Sequence, residues 1–111
     1  MSPSRGPSLT ESIKHPYKLF GFEWDPGKSA PNERERGLPF DLAPALFDRP
    51  TVVEQDLRKG YGEVRCKLIG TVDGTILVCV FTIRPNHVCR VISLRHANRK
   101  ERNVHRAANP G

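Results

Sequence analysis

No stretch of this chain approaches the roughly 18 consecutive apolar residues that a helix needs to cross a bilayer. Its opening residues, Met1–Ser12, hold no apolar segment of the kind that starts a secretory signal. A cytoplasmic protein with no membrane partner is therefore expected. Cysteine is scarce and odd in number: Cys66, Cys79 and Cys89, each inside a hydrophobic run. That pattern excludes a disulfide framework and reads as small buried hydrophobes in a reducing compartment. The lone His87-x-Cys89 pair has no second pair at zinc spacing, so neither a metal nor a cofactor is expected. Acidic residues almost vanish from the last quarter. Between Arg84 and Arg106, Glu101 stands alone against Arg84, Arg90, Arg95, Arg99, Lys100, Arg102 and Arg106. The remainder of the chain balances, so this segment accounts for the whole formal net charge of +6. Basicity placed this way points to phosphate-rich or acidic partners; the plainer alternative is a solvated basic helix.

What is present fits one small domain. The chain has 111 residues, enough for a single core. Residues 1–16, rich in Ser, Pro, Gly and charge, read as a disordered leader, 17–108 as the domain and 109–111 as a tail. Tyr17–Phe22 is a short aromatic run that predicts a first strand. Asp25 offers an N-cap and Pro26 a first helical position, while Gly37 suits the left-handed residue that ends a helix. Pro31 falls inside that helix and predicts a kink or a shortened first turn. Asp41 can cap a second short helix with Leu42, Ala45, Leu46 and Phe47 at helical spacing, ended by Asp48-Arg49-Pro50.

Four strands follow. "TVVEQD" leads into the glycine-rich loop "RKGYGE", and "VRCKLIGT" alternates Val64, Cys66 and Leu68 against Arg65 and Lys67, one apolar face and one basic. Asp73-Gly74 makes a hairpin turn, "ILVCVFTI" is apolar on both faces and so central, and "VCRVISL" turns Arg90 outward. Asn98 and Glu101 have capping-box spacing at the start of a basic helix whose apolar residues are chiefly Ala97, Val104 and Ala108. So polar a helix gains little by packing on its own sheet and suits another subunit or a partner. The expected fold is α+β: a small antiparallel sheet with helices on one face, in the order β-α-α-β-β-β-β-α.

Taken together in one order, "FEWDPGK", "NERERG", "PF", Glu63-x-Arg65 before an "IG", "VCVFT" and "ISLRHANRKER" resemble the BrnT-type toxin family of bacterial toxin–antitoxin pairs, whose fold is similar to the RelE-like ribonucleases. The resemblance runs from Tyr17 to about Arg106. It implies a ribonuclease that needs no metal, cuts RNA to halt growth and is neutralised by a cognate antitoxin. It implies a ribbon-helix-helix antitoxin, contact with DNA only through the toxin–antitoxin hetero-oligomer, and room for a homodimer through the C-terminal helix.

Cutting RNA without a metal requires the 2′-hydroxyl to attack the adjacent phosphorus. A base takes its proton, cations hold charge on the phosphoryl oxygens and an acid protonates the leaving oxygen. Arginine suits the cation role because its planar fork binds phosphate through two donors and stays charged. By resemblance, Arg65 and Arg95 bind phosphate, Glu63 serves as base or orients an arginine, and Lys28 completes the catalytic set. A same-face ion pair between Glu63 and Arg65, worth under about 1 kcal/mol, is the plainer reading. Arg36, Arg90, His96 and Arg99 are the expected RNA and phosphate contacts, His96 with a titratable ring. The family usually carries Lys-His just before the glycine where this chain has Glu35-Arg36. Arginine cannot titrate near neutral pH and Glu35 reverses a charge, so a weakened or inactive member that still binds antitoxin or nucleic acid is the alternative. Phe22 and Trp24 read as core residues at a strand end, with base stacking the other use for them.

Overall fold

Five strands form one sheet in the spatial order β1-β5-β4-β3-β2: β1 (Gly21–Glu23), β2 (Val52–Asp56), β3 (Arg65–Val72), β4 (Thr75–Ile83) and β5 (Val88–His96). The structure is a computed structural model and describes residues 19–49, 51–56 and 64–108. The expected leader 1–16, the tail 109–111, Tyr17, Pro50, the loop Arg58–Gly62 and Glu63 lie outside the described residues. β2 through β5 are antiparallel, but β1 runs parallel to β5, so the sheet is mixed rather than antiparallel throughout. The β3–β4 hairpin turns on Asp73 and Gly74, at φ +50° and +81°, the paired left-handed conformations of a tight two-residue turn. β4, apolar on both faces, is central as expected.

The helices are α1 (Pro26–Arg36), α2 (Ala43–Phe47) and α3 (Arg99–Ala108), with a 3-10 turn at Phe40–Leu42 leading into α2. α1 begins and ends as its sequence dictates. Asp25 Oδ1 accepts from Gly27 N at 2.8 Å, Pro26 is the first helical residue, and Gly37 at φ +72° donates to Glu33 O at 2.8 Å. The helix runs through Pro31 without interruption. Asp41 does not cap α2. The 3-10 turn opens at Pro39 with no side-chain cap, and Asp41 lies inside it.

Helices occupy both faces, not one. On the first face Leu46 and Phe47 of α2, with Leu38 and Phe40, cover Leu68, Leu77, Cys79, Phe81, Cys89, Val91 and Leu94. Phe47 stands edge-on between Phe22 at 5.2 Å and Phe81 at 5.0 Å, and Trp24 packs against the same core. α1 buries no residue and is tied down by polar bonds instead. Asn32 Nδ2 donates to Leu38 O at 2.6 Å and to Leu94 O at 2.8 Å, and Ser29 Oγ accepts from Phe40 N at 2.9 Å. Leu94 lies on the part of β5 that the short β1 does not pair, so Asn32 covers a sheet edge otherwise open to other chains.

On the second face, Val104 of α3 packs with Val52 and Ile76 against a cluster of Ile69, Val78 and Ala97. The helix therefore packs on its own sheet, contrary to the expectation from its composition. Two polar residues, Glu101 and His105, fill much of its buried stripe, and apolar counting does not see them. Burial pushes the Cys89 thiol up to about 12, with Cys66 adding to it, and pushes Cys79 well above its ordinary value. These two sulfhydryls are core hydrophobes.

Candidate functional site

Strand alternation divides each strand between the two faces, so residues paired across neighbouring strands share a face. One row on the α3 face reads Glu54–Lys67–Val80–Ser93 and the next reads Val52–Ile69–Val78–Arg95. At the far end Thr82 pairs Arg90, and Arg90 pairs Glu23 of β1. Arg65, two residues before Lys67, falls on the same face.

A bulge in β5 makes this alignment. Val80 pairs Ser93 but Phe81 pairs Val91, leaving Ile92 as an extra residue. Because of it, Cys89, Val91 and Leu94 all enter the core while Arg90, Ser93 and Arg95 all lie on the opposite face. Without the extra residue, positions 90 and 95 would face opposite ways. Three of the expected cations, Arg65, Arg90 and Arg95, thus share one sheet surface.

Glu101 organises one end of it. Arg95 donates to Glu101 through Nη1 and Nη2, both at 2.8 Å, and Lys67 Nζ donates to Oε2 at 3.0 Å. The same carboxylate accepts from Asn98 N at 2.9 Å while Asn98 Oδ1 accepts from Glu101 N at 2.8 Å, the reciprocal cap predicted from their spacing. Only 5% of the Glu101 side chain is exposed. Hydrogen bonds from Arg95, above all, hold its carboxyl down to about 2 from 4.5, with the Asn98 N–H and Lys67 assisting against burial. Lys67 also lies 3.5 Å from Glu54. At the other end Glu23 pairs Arg90 at 3.0 Å and Arg84 at 3.7 Å.

The other expected site residues are placed elsewhere. Glu63 is outside the described residues. Lys28 is exposed on the first turn of α1, and no bond among the described residues joins it to the sheet-face cluster. Arg36, on the last turn, donates to Asn32 Oδ1 at 3.2 Å and Leu94 O at 3.3 Å, so it helps to close the β5 edge. Arg95 and His96 are the last two residues of β5. His96 pairs Leu77, a core-facing residue, so alternation sets it on the opposite face from Arg95. Arg99 is exposed in the first turn of α3, roughly opposite Glu101 around the helix.

Lys67 and Glu101 are the residues that sequence reading under-used. Lys67 was legible as the next same-face position after Arg65. Glu101 was legible as a cap, but nothing local showed that it reaches a strand 34 positions away.

The arrangement offers fixed guanidinium and ammonium donors, spaced by carboxylates, on a surface that suits a polyanion. The crystal structure of the Brucella abortus ribonuclease toxin BrnT is similar to this fold, with a TM-score of 0.54 and 26% identity over 74% of this chain and 100% of that one. No curated protein matches the chain. The family model of BrnT, the ribonuclease toxin of type II toxin–antitoxin systems, matches residues 24–101, from just after β1 to the Glu101 cap. The chain belongs to the BrnT family of ribonuclease toxins of type II toxin–antitoxin systems.

Proposed function

We propose that this chain cleaves RNA without a metal, through attack of a 2′-hydroxyl on its neighbouring phosphorus. The observation that carries the reading is the bulge-aligned set of Arg65, Arg90 and Arg95 on one sheet face. In this reading Arg65 and Arg95 hold the phosphoryl oxygens, where charge grows in the transition state, and Arg90 holds a neighbouring phosphate. Glu63 takes the 2′-hydroxyl proton, the bond from phosphorus to the 5′-oxygen breaks, and a proton returns to that oxygen, leaving a cyclic phosphate. Lys28 and Arg36 bind flanking RNA from α1, and Arg99 does so from α3. The 2′-hydroxyl requirement restricts cleavage to RNA.

The partner proposed is a cognate antitoxin of the ribbon-helix-helix kind, with DNA contacted only through the joint complex in the cytoplasm. The outer side of α3 carries exposed Arg99, Lys100 and Arg106, which complements an acidic antitoxin surface. Like-charge repulsion there opposes a homodimer through α3.

Purified chain mixed with total RNA in EDTA tests the reading. Cyclic phosphate ends that disappear with Arg65→Ala support it; intact RNA, or equal cleavage by Arg65→Ala, overturns it. A second reading, an inactive member that keeps antitoxin binding, is favoured by the carboxylates on Lys67 and Arg95 together with the Glu35-Arg36 pair. Expression without an antitoxin separates the two: growth arrest supports the nuclease, healthy cells full of folded protein the binder.

A further inference from the structure

Resting on the nuclease reading, we propose that Glu101 is a positioning residue for RNA cleavage, holding Arg95 and Lys67 as a preset cation pair that meets the phosphate. The carboxylate accepts four donors: both Nη atoms of Arg95, Lys67 Nζ and Asn98 N. It belongs at once to the cap of α3 and to the sheet-face cluster, so the backbone of the helix start fixes where the two cations stand. Arg95 and Lys67 come from β5 and β3, strands separated by β4. Val80, beside Lys67 in its row, and Val78, beside Arg95 in the next, are buried and offer no polar side chain to hold them. Glu101 is the only described group bonded to both.

A displaceable cover for Arg95 would need a carboxylate that leaves easily, and this one is buried with its oxygens fully engaged. Its depressed proton affinity agrees with the geometry. Arg95 and Lys67 keep partly exposed side chains, at 34% and 27%, so both can be reached from solvent while Glu101 holds them. Fixing two cations in advance removes reorganisation from the reactive step, where a displacement of about 1 Å can cost on the order of a hundredfold in rate.

Charge and position predict opposite signs for Glu101→Gln. Glutamine keeps the helix cap, since it serves at that capping-box position, but gives up the charge that holds both cations. The substitution adds one positive charge to the face, so a purely electrostatic Glu101 would give tighter RNA binding and equal or faster turnover. The positioning role predicts binding of a non-cleavable 2′-deoxy oligonucleotide at least as tight as wild type, with kcat lowered roughly tenfold or more. It also predicts that Lys67→Gln lowers kcat while circular dichroism and the melting transition persist. Wild-type kcat in Glu101→Gln, or in Lys67→Gln should Glu101→Gln not fold, overturns the proposal and leaves the nuclease reading standing. Wild-type protein that cuts no RNA overturns both.

Discussion

Arg90 and Arg95 lie on the same face of β5 although five positions separate them, because the bulge at Ile92 shifts the alternation by one residue. Core and charged face are coupled by that single residue, since the same shift carries Val91 and Leu94 inward together. Deleting Ile92 forces a choice between burying an arginine and exposing a core residue. The deletion is expected to abolish the cooperative urea transition. Ile92→Ala, which keeps the backbone count at a half-buried position, is expected to fold with a cooperative urea transition.

The acid limb of stability tests Glu101. Its folded carboxyl titrates at about 2 against an ordinary 4.5, so the unfolded chain binds its proton first. The stabilisation is complete above about pH 4.5 and drains away as pH falls toward 2. The urea midpoint of Glu101→Gln is expected to fall less steeply across this window than that of the wild type. Parallel curves would mean that Glu101 is not coupled to folding.

Glu23 tests the opposite end of the face. Its carboxylate sits 3.0 Å from Arg90, with both side chains about two-fifths exposed, and such pairs contribute under about 1 kcal/mol. Glu23→Gln should leave stability nearly unchanged and tighten binding of a 2′-deoxy oligonucleotide by up to roughly fivefold. Weaker binding would show that Glu23 holds Arg90 in place rather than competing for it.

Phe47 is the keystone of the first face, edge-on to both Phe22 and Phe81 and 2% exposed. Phe47→Ala is expected to cost about 3–5 kcal/mol in urea denaturation. A loss below about 1 kcal/mol would mean that α2 is not seated on the sheet as described.

Pro31 lacks the N–H that would reach Gly27 O. An interior proline costs a helix about 3 kcal/mol, partly offset by the roughly 0.4–1 kcal/mol it saves by stiffening the unfolded chain. Pro31→Ala is therefore expected to stabilise by about 1 kcal/mol or more, read from the shift in melting temperature.

Local chemistry made much of this fold legible. Asp25, Gly37, Asp73-Gly74 and the Asn98–Glu101 pair each act within a few residues, and each forms the cap or turn its type favours. Alternation set Arg65 and Lys67 on one face of β3. What stayed hidden depended on distant partners. A three-residue β1 has nothing in its own residues to say that it runs parallel to β5, 67 positions further along at Glu23–Arg90. Ile92 carries no bulge signature of the glycine kind. Glu101 and His105, counted as polar, concealed the buried side of α3 and so the second layer of helices.

The parallel pairing of β1 with β5 also imposes an order on assembly. Emergence from the ribosome is vectorial, and β1 must wait for β5, the last of the described strands, before it has a neighbour. Arg90 and Arg95 emerge with β5 itself, and Glu101 follows with α3. A nascent chain that lacks them cannot build the charged surface, which is complete only once α3 has emerged.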